Sequence, residues 1–538
     1  MRRFFPLLAS LALVLVVVPR ARARDDFDRP ETMAAWTAKM AQDREVVDRL
    51  VVCFDEPSFL REIGKWDAKR FWPVLLWDSD LVPKFIEAFG PKQVLLARVD
   101  EKGPADLDAA RAAVAAAWGI DAEAAPKDAK AFLEVLTARE RAPVGVVLLA
   151  EGSPELLGGA ALAAGRFHLP LVFATEEKHG TRIDEGRLAA LRKELAGRID
   201  ALGVDWQAKF DDLDFVTVAD DLPFAYTLEA AHAHPGRYTV DDALARHDDD
   251  VRWGWVGRLV GGEARSVYMA MGALFLQPKR GLLWSRYNPK NATFGAFSPA
   301  EALETFRTLF PTEMVEHPDA TLAKWRALEW PRGNRFGFVY VNSSGGARTW
   351  STSKGQATHF DVPDTIPTVV HYTHSGSAGA PFDTDSIAGR WMANGAYVYF
   401  GSHAEPYLQS FVPPVVLARR VAAGVPLGAA MRQLYGPGLV GTRKMKVKGE
   451  EKLVRFNMSG PWKLAYFGDP SYRLTGKEPE RVAPEKPDHA YYPSVRAFQK
   501  SHAKTKAWKE ALPIAALGAT RLDPHAKKLV DLRVWKKL

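Results

Sequence analysis

From Val144 onward the chain carries short runs that are apolar at nearly every position, each bounded by turn residues and followed by a stretch with helical spacing. Val144–Ala150 reads Val-Gly-Val-Val-Leu-Leu-Ala, and Pro170–Phe173, Phe215–Ala219, Gly281–Ser285, Phe336–Val341 and Thr368–Tyr372 are built the same way. A strand with one face in water alternates apolar and polar residues, whereas a run that is apolar throughout is covered on both faces. Helical spacing over Leu156–Phe167, Glu185–Leu202, Ser266–Leu276 and Pro299–Phe310 supplies the covering layers. An earlier group continues the pattern toward the N-terminus, with strands Pro73–Trp77 and Gln93–Val99 and helices Leu81–Phe89 and Ala105–Trp118. The expected fold class is α/β, built as two mainly parallel α/β units. A soft boundary near residue 290 separates an N-terminal α/β region, 24–290, from a tighter unit, 291–475.

The two ends are of a different kind. Met1-Arg2-Arg3, the apolar run Phe4–Val18 and Ala21-Arg22-Ala23 have the three parts of a secretory signal peptide, with cleavage expected after Ala23. The run is about 15 residues, short of the roughly 20 that span a bilayer, and no later stretch is long and uncharged enough to do so. The mature chain is therefore expected to carry no transmembrane segment and to reach a periplasm or the cell exterior. Residues 1–23 hold four arginines and no acid, so the formal charge of +7 falls by four on cleavage, which is not a nucleic-acid-binding signature. Residues 476–538, rich in Lys and Pro, are expected to form a basic C-terminal extension. One cysteine, Cys53, rules out an intramolecular disulfide, and its place between Val52 and Phe54 reads as buried.

Chemistry is expected where strands end. In open α/β sheets, ligands sit beyond the carboxyl ends of the strands. Thr368–Tyr372 runs into Thr373-His374-Ser375-Gly376-Ser377, and the strand before it runs into Asn342-Ser343-Ser344-Gly345-Gly346. Adjacent parallel strands would bring Ser344, Thr373, His374 and Ser375 to one crevice, which His403, after the strand Ala396–Phe400, can also approach. A hydroxyl nucleophile needs a base within hydrogen-bond reach and donors for the oxyanion. His371 and His374 have His-x-x-His spacing, but residues three apart on a strand point to opposite faces, so no shared metal, and no cofactor, is expected. The acidic segment Tyr238–Asp242 leads to Asp248-Asp249-Asp250, which fits no calcium loop and reads as a solvated turn. Asp383 and Asp385 are expected to turn the chain and cap a helix that starts near Ser386.

Over roughly Phe336–Leu474 the chain resembles the catalytic region of the gingipain family of secreted cysteine peptidases. The resemblance rests on the strand and Gly-rich loop ending in Trp350, the strand from Pro367, the helix before Asn394-Gly395-Ala396, the strand end Tyr399-Phe400-Gly401-Ser402, and Phe467-Gly468-Asp469-Pro470-Ser471. Weaker similarity reaches back to Phe215–Asp221 and to Gly257-Arg258-Leu259. It implies a caspase-like fold for the later unit. In that family the catalytic pair is a histidine in a His-Gly step after the first strand and a cysteine after the next. Here Ser344-Gly345 stands at the His-Gly place, and His374 or Thr373, depending on register, stands at the cysteine place. The expectation is an exported homologue that has lost the dyad and serves as a binding or scaffold module for a peptide or protein ligand. The alternatives are a hydrolase rebuilt on Thr373 or Ser375 with His374 or His403 as base, and an envelope structural protein. A pocket in which an imidazole touches either hydroxyl would favour the hydrolase; a crevice filled by Tyr372, Trp350 or Tyr407 would favour the scaffold.

Overall fold

A computed structural model of the chain describes residues 36, 38–40, 44–97, 105–121, 124–229, 235–248, 251–291, 294–328, 336–364, 367–433, 439–447, 450–458, 460–486 and 491. Residues 1–23, where a signal peptide is expected, Asp249, Asp250 and residues 492–538 of the expected extension lie outside the described residues.

Ten strands form one sheet: β1 Gly145–Leu149, β2 Leu169–Val172, β3 Phe215–Ala219, β4 Trp255–Arg258, β5 Gly281–Ser285, β6 Thr312–Glu316, β7 Phe338–Asn342, β8 Thr368–Thr373, β9 Ala396–Ser402 and β10 Leu464–Phe467. Their order is β6-β5-β7-β8-β9-β10-β4-β3-β1-β2. The ladders among β6, β5, β7, β8 and β9 are parallel, as are those among β4, β3, β1 and β2. Between these halves lies β10, antiparallel to β9 and joined to β4 through Arg258 and Phe467. After β3 and β9 the loops meet, with Phe224 edge-on to His403 at 5.2 Å and to Phe382 at 5.5 Å. The carboxyl ends of both halves therefore line one side of the molecule. The boundary near 290 falls between β5 and β6, which both stand in the later half of this shared sheet.

The continuous apolar runs have the expected cause, since β1, β3, β5, β7 and β8 are buried at every position. Helix α1 Leu156–Arg166 covers β1, β2 and β3, helix α2 Gly262–Phe275 lies over β9, and the two helices pack closely on each other. A Cβ on Gly158 would lie 2.6 Å from the Ser266 backbone, so that contact tolerates only glycine. The N-terminal strands do not extend the large sheet. Val74–Leu76, Arg49–Cys53 and Gln93–Leu96 make a separate parallel sheet in that order, with Cys53 buried in its central strand. The start of the C-terminal extension returns to this region. Arg481–Val482 pairs with Glu45–Val47, and the Tyr491 hydroxyl donates to Glu62 at 2.8 Å.

Four segments differ from expectation. Pro299–Phe310 is a short 3-10 turn, Ala300–Ala302, followed by a five-residue helix, Leu303–Arg307, that seats Phe306 in the core. Thr312–Glu316 is an edge strand whose half-exposed residues break the apolar run. Ser386 is itself the N-cap of the helix Ile387–Ala393, while Asp383 accepts from the Asp385 amide. Asp241 and Asp242 lie not in a solvated loop but in the helix Val240–Leu244, both fully buried. Their buried arginine partners are described below.

Candidate functional site

Strands β7, β8 and β9 are parallel neighbours, with Asn342 opposite Thr373 and His371 opposite Phe400. Their following loops consequently converge. The Ser343 amide donates to the Thr373 carbonyl at 3.1 Å. Ser402 Oγ donates to the His374 carbonyl at 2.9 Å and accepts from the Gly376 amide at 2.8 Å. Two glycines let the loops close this tightly. A Cβ on Gly401 would lie 2.2 Å from Ser377 Oγ. At Gly345, whose φ is +157°, a Cβ would lie 2.1 Å from the Thr349 carbonyl oxygen and 2.7 Å from His374 Nε2.

The candidate side chains share this edge but not a common pocket. Thr373 is 1% exposed, and its Oγ1 donates to the Tyr340 hydroxyl at 3.0 Å and lies 3.3 Å from His371 Nε2. That group faces the layer that contains Phe400, whose ring is 4.9 Å from His371. Burial drives the His371 pKa down to about 3. His374 is 2% exposed and lies on the opposite face beside Tyr372, with its ring against the Gly345 backbone. Burial lowers its pKa to about 4. Ser344 Oγ accepts from Arg286 Nη1 at 2.7 Å. Ser375 is half-buried in the turn that follows β8. His403 points at Phe224, its Nδ1 is 3.4 Å from the Ala378 carbonyl oxygen, and burial lowers its pKa to about 4.

An imidazole thus meets only one of these hydroxyls, that of Thr373, and the contact is sealed in the core. Below the loops Tyr372 and Trp350 are fully buried and fill the space, with Trp391 Nε1 donating to the Tyr372 hydroxyl at 3.1 Å. Tyr407 is 53% exposed and fills nothing.

Sequence reasoning missed Arg286. It follows β5 directly, donates to Ser344, and keeps its Nε buried without a partner among the described residues. Tyr287 supports the same loop by donating to the Ser343 carbonyl at 3.1 Å. The available signal was an arginine set immediately after an all-apolar strand. Chemically, the edge offers hydroxyls, a guanidinium and close-packed glycine loops. It does not bring a base to an exposed hydroxyl.

The neighbouring carboxyl edge, at the ends of β1, β3 and β4, is ionic. Arg258 reaches both Asp241 oxygens and donates to the carbonyls of Leu222 at 2.8 Å and Pro223 at 3.2 Å, which fixes the loop after β3. Asp242 takes Arg246 at 2.8 Å and also Arg252, with Arg432 at 3.6 Å. Burial alone would raise the Asp242 pKa, but these three guanidinia outweigh it and hold the group at about 2. Asp220 is driven up to about 6 by burial. A recess of about 600 Å³ opens elsewhere, lined by Trp325, Arg326, His359, Phe360, Asp361 and Arg390 among others. Its guanidinia are already paired, Arg326 with Asp361 and Arg390 with Asp385. No family model, curated protein or solved structure matches the chain.

Proposed function

We propose that the chain is an exported, gingipain-like protein whose caspase-like later half serves as a binding or scaffold module without peptidase activity. One observation carries this reading: where that family places its dyad, the Ser344 hydroxyl is held by Arg286, and the Thr373 hydroxyl is buried against Tyr340 and His371. A nucleophile must reach a substrate carbonyl while its base accepts the proton. Thr373 cannot be reached, and Ser344 faces a guanidinium, which accepts no proton. An imidazole with a pKa near 3 or 4 is also a weak base at neutral pH. The half-buried loops, with Ser375 and Arg286, would then hold a peptide or protein ligand through hydrogen bonds.

The test is mass-spectrometric reading of a diverse peptide library after incubation with the purified chain and with Thr373→Val, Ser375→Ala and His374→Gln variants. The expected result is no cleavage beyond a trace common to all four. Cleavage that disappears in Thr373→Val or Ser375→Ala would replace this reading with a hydroxyl-based peptidase.

A further inference from the structure

The Ser344–Ser375 edge carries a guanidinium that the fold holds firmly in place. Arg286 follows β5, its backbone amide donates to the Asn342 carbonyl at 3.1 Å, and its own carbonyl accepts from Ser353 Oγ at 3.1 Å. The side chain donates from Nη1 to Ser344 Oγ at 2.7 Å, and its Cζ lies 4.9 Å from the centre of the Tyr287 ring. Tyr287 is braced in turn, stacked on Phe294 at 4.0 Å and donating to the Ser343 carbonyl at 3.1 Å. A guanidinium fixed in this way loses little freedom when it takes up a ligand.

Bracing the loop engages one of the five N–H groups of this side chain. Nη2 neither bonds a described residue nor is enclosed, and no described carboxylate lies within ion-pair reach of the guanidinium. The acid on the neighbouring strand end, Glu316 opposite Ser285, accepts instead from Ser298 Oγ at 3.1 Å. Ser344 is half-buried, and while its oxygen accepts from Arg286, its own proton has no acceptor among the described residues. The space beside it is open, since a Cβ on Gly346 would meet no described atom within 4 Å. Gly376 bounds that space, where a Cβ would lie 3.7 Å from Gly346 Cα, and Ser375 before it is half-buried. A guanidinium and a hydroxyl side by side offer two donors to one anion. A carboxylate suits them, because its two oxygens can accept from both and its single charge matches one arginine, whereas phosphate groups are recognised by clusters of arginines.

We propose that Arg286 and the Ser344 hydroxyl form a carboxylate subsite, so that the peptide ligand of this edge presents an acidic side chain or its C-terminal carboxylate there. The inference rests on the ligand-binding function proposed for the same edge and adds the class of ligand.

The test is affinity selection on the immobilised full chain from a random decapeptide library, half of it amidated at the C-terminus, with retained peptides read by mass spectrometry. Enrichment of about fivefold in Asp and Glu, or in free over amidated C-termini, is expected, and the two patterns separate a side-chain from a terminal carboxylate. A retained peptide carrying a fluorophore is then titrated against variants. Arg286→Gln should weaken it about tenfold, and Arg198→Gln, on the helix Glu185–Asp200, should leave it unchanged. Arg286→Lys keeps the charge but not the fork; it serves should the glutamine variant fail to fold, and should weaken binding about threefold. With the peptide carboxylate replaced by a carboxamide, Arg286→Gln should cost nothing more, a coupling that a merely structural arginine would not show. Retained peptides without a carboxylate preference, or folded Arg286 variants that favour carboxylate over carboxamide as strongly as the unaltered chain, would overturn the subsite and leave the binding module standing. Retention of no peptide at all would overturn both.

Discussion

The two carboxyl edges of the sheet lie side by side, meet at Phe224 and His403, and are held together by opposite means. In the first half, fully buried charges clamp the loops: Arg258 on Asp241 and on the carbonyls after β3, and Asp242 among three arginines. In the second half the loops after β7, β8 and β9 are held by hydroxyls, glycines and imidazoles kept neutral by burial. An edge built from close backbone approach leaves little room for a working nucleophile, because the approach that seals the loops also buries Thr373 and His374.

The largest effect that would separate the two edges is expected from Arg258→Met. It leaves the Asp241 carboxylate buried and unpaired, at a loss of about 3–5 kcal/mol in urea unfolding. Adding Asp241→Leu should recover most of that loss, and a double variant no more stable than the single would show that the clamp is not an ion-pair effect. Acid should act next, chiefly through histidines. His371, His374 and His403 in the second edge, and His168, have folded pKa values of about 3 to 4, below an ordinary value near 6.5. With folded values depressed, their contribution is fully present above pH 6.5 and is lost as pH falls toward 4. His371 alone accounts for about 3 kcal/mol between pH 7 and pH 4. Asp214 opposes this, since burial drives its pKa up to about 8 and its folded form retains a proton that the unfolded chain releases above about 4. Chemical unfolding followed from pH 8 to 4 should therefore show a net loss of stability, and a flat profile would contradict neutral buried imidazoles.

Gly345→Ala should follow, at about 1–3 kcal/mol, because the new Cβ meets the Thr349 carbonyl and the His374 ring. His374→Ala in that background should restore part of the loss if the ring is the obstacle. Smallest is Ser344→Ala, which removes one hydrogen bond from Arg286 and should lower stability by about 1 kcal/mol in the same assay. A change above about 3 kcal/mol would give Ser344 a larger part in the edge than one bond.

Much of the sheet was legible because burial on both faces leaves an unbroken apolar run. Phe215–Ala219 and Gly281–Ser285 are strands at the residues where the pattern places them. Where a strand carries its own charge the signal failed. Trp255–Arg258 ends in a buried arginine whose partner, Asp241, lies 17 positions earlier in a segment that reads as polar loop. Thr312–Glu316 was hidden for another reason, since an edge strand is only partly covered and its pattern is mixed. At the candidate site, the strand ends and their nearness could be read from the chain. The accessibility of Thr373 and His374 could not. Alternation says that His371 shares a face with Thr373 and not with His374, but it does not say which face is covered.

By itself, the amino-acid sequence determined the α/β class, the parallel strands with their covering helices, and the position of the polar loops at strand ends. These follow from local properties, namely side-chain periodicity, turn chemistry and residue identity. Only the tertiary structure decided that both halves share one sheet, that Arg258 finds Asp241, that Arg286 finds Ser344, and that Thr373 closes inward. Each depends on residues distant in the chain meeting in a close-packed interior, where burial sets both the cost of a charge and the reach of a hydroxyl.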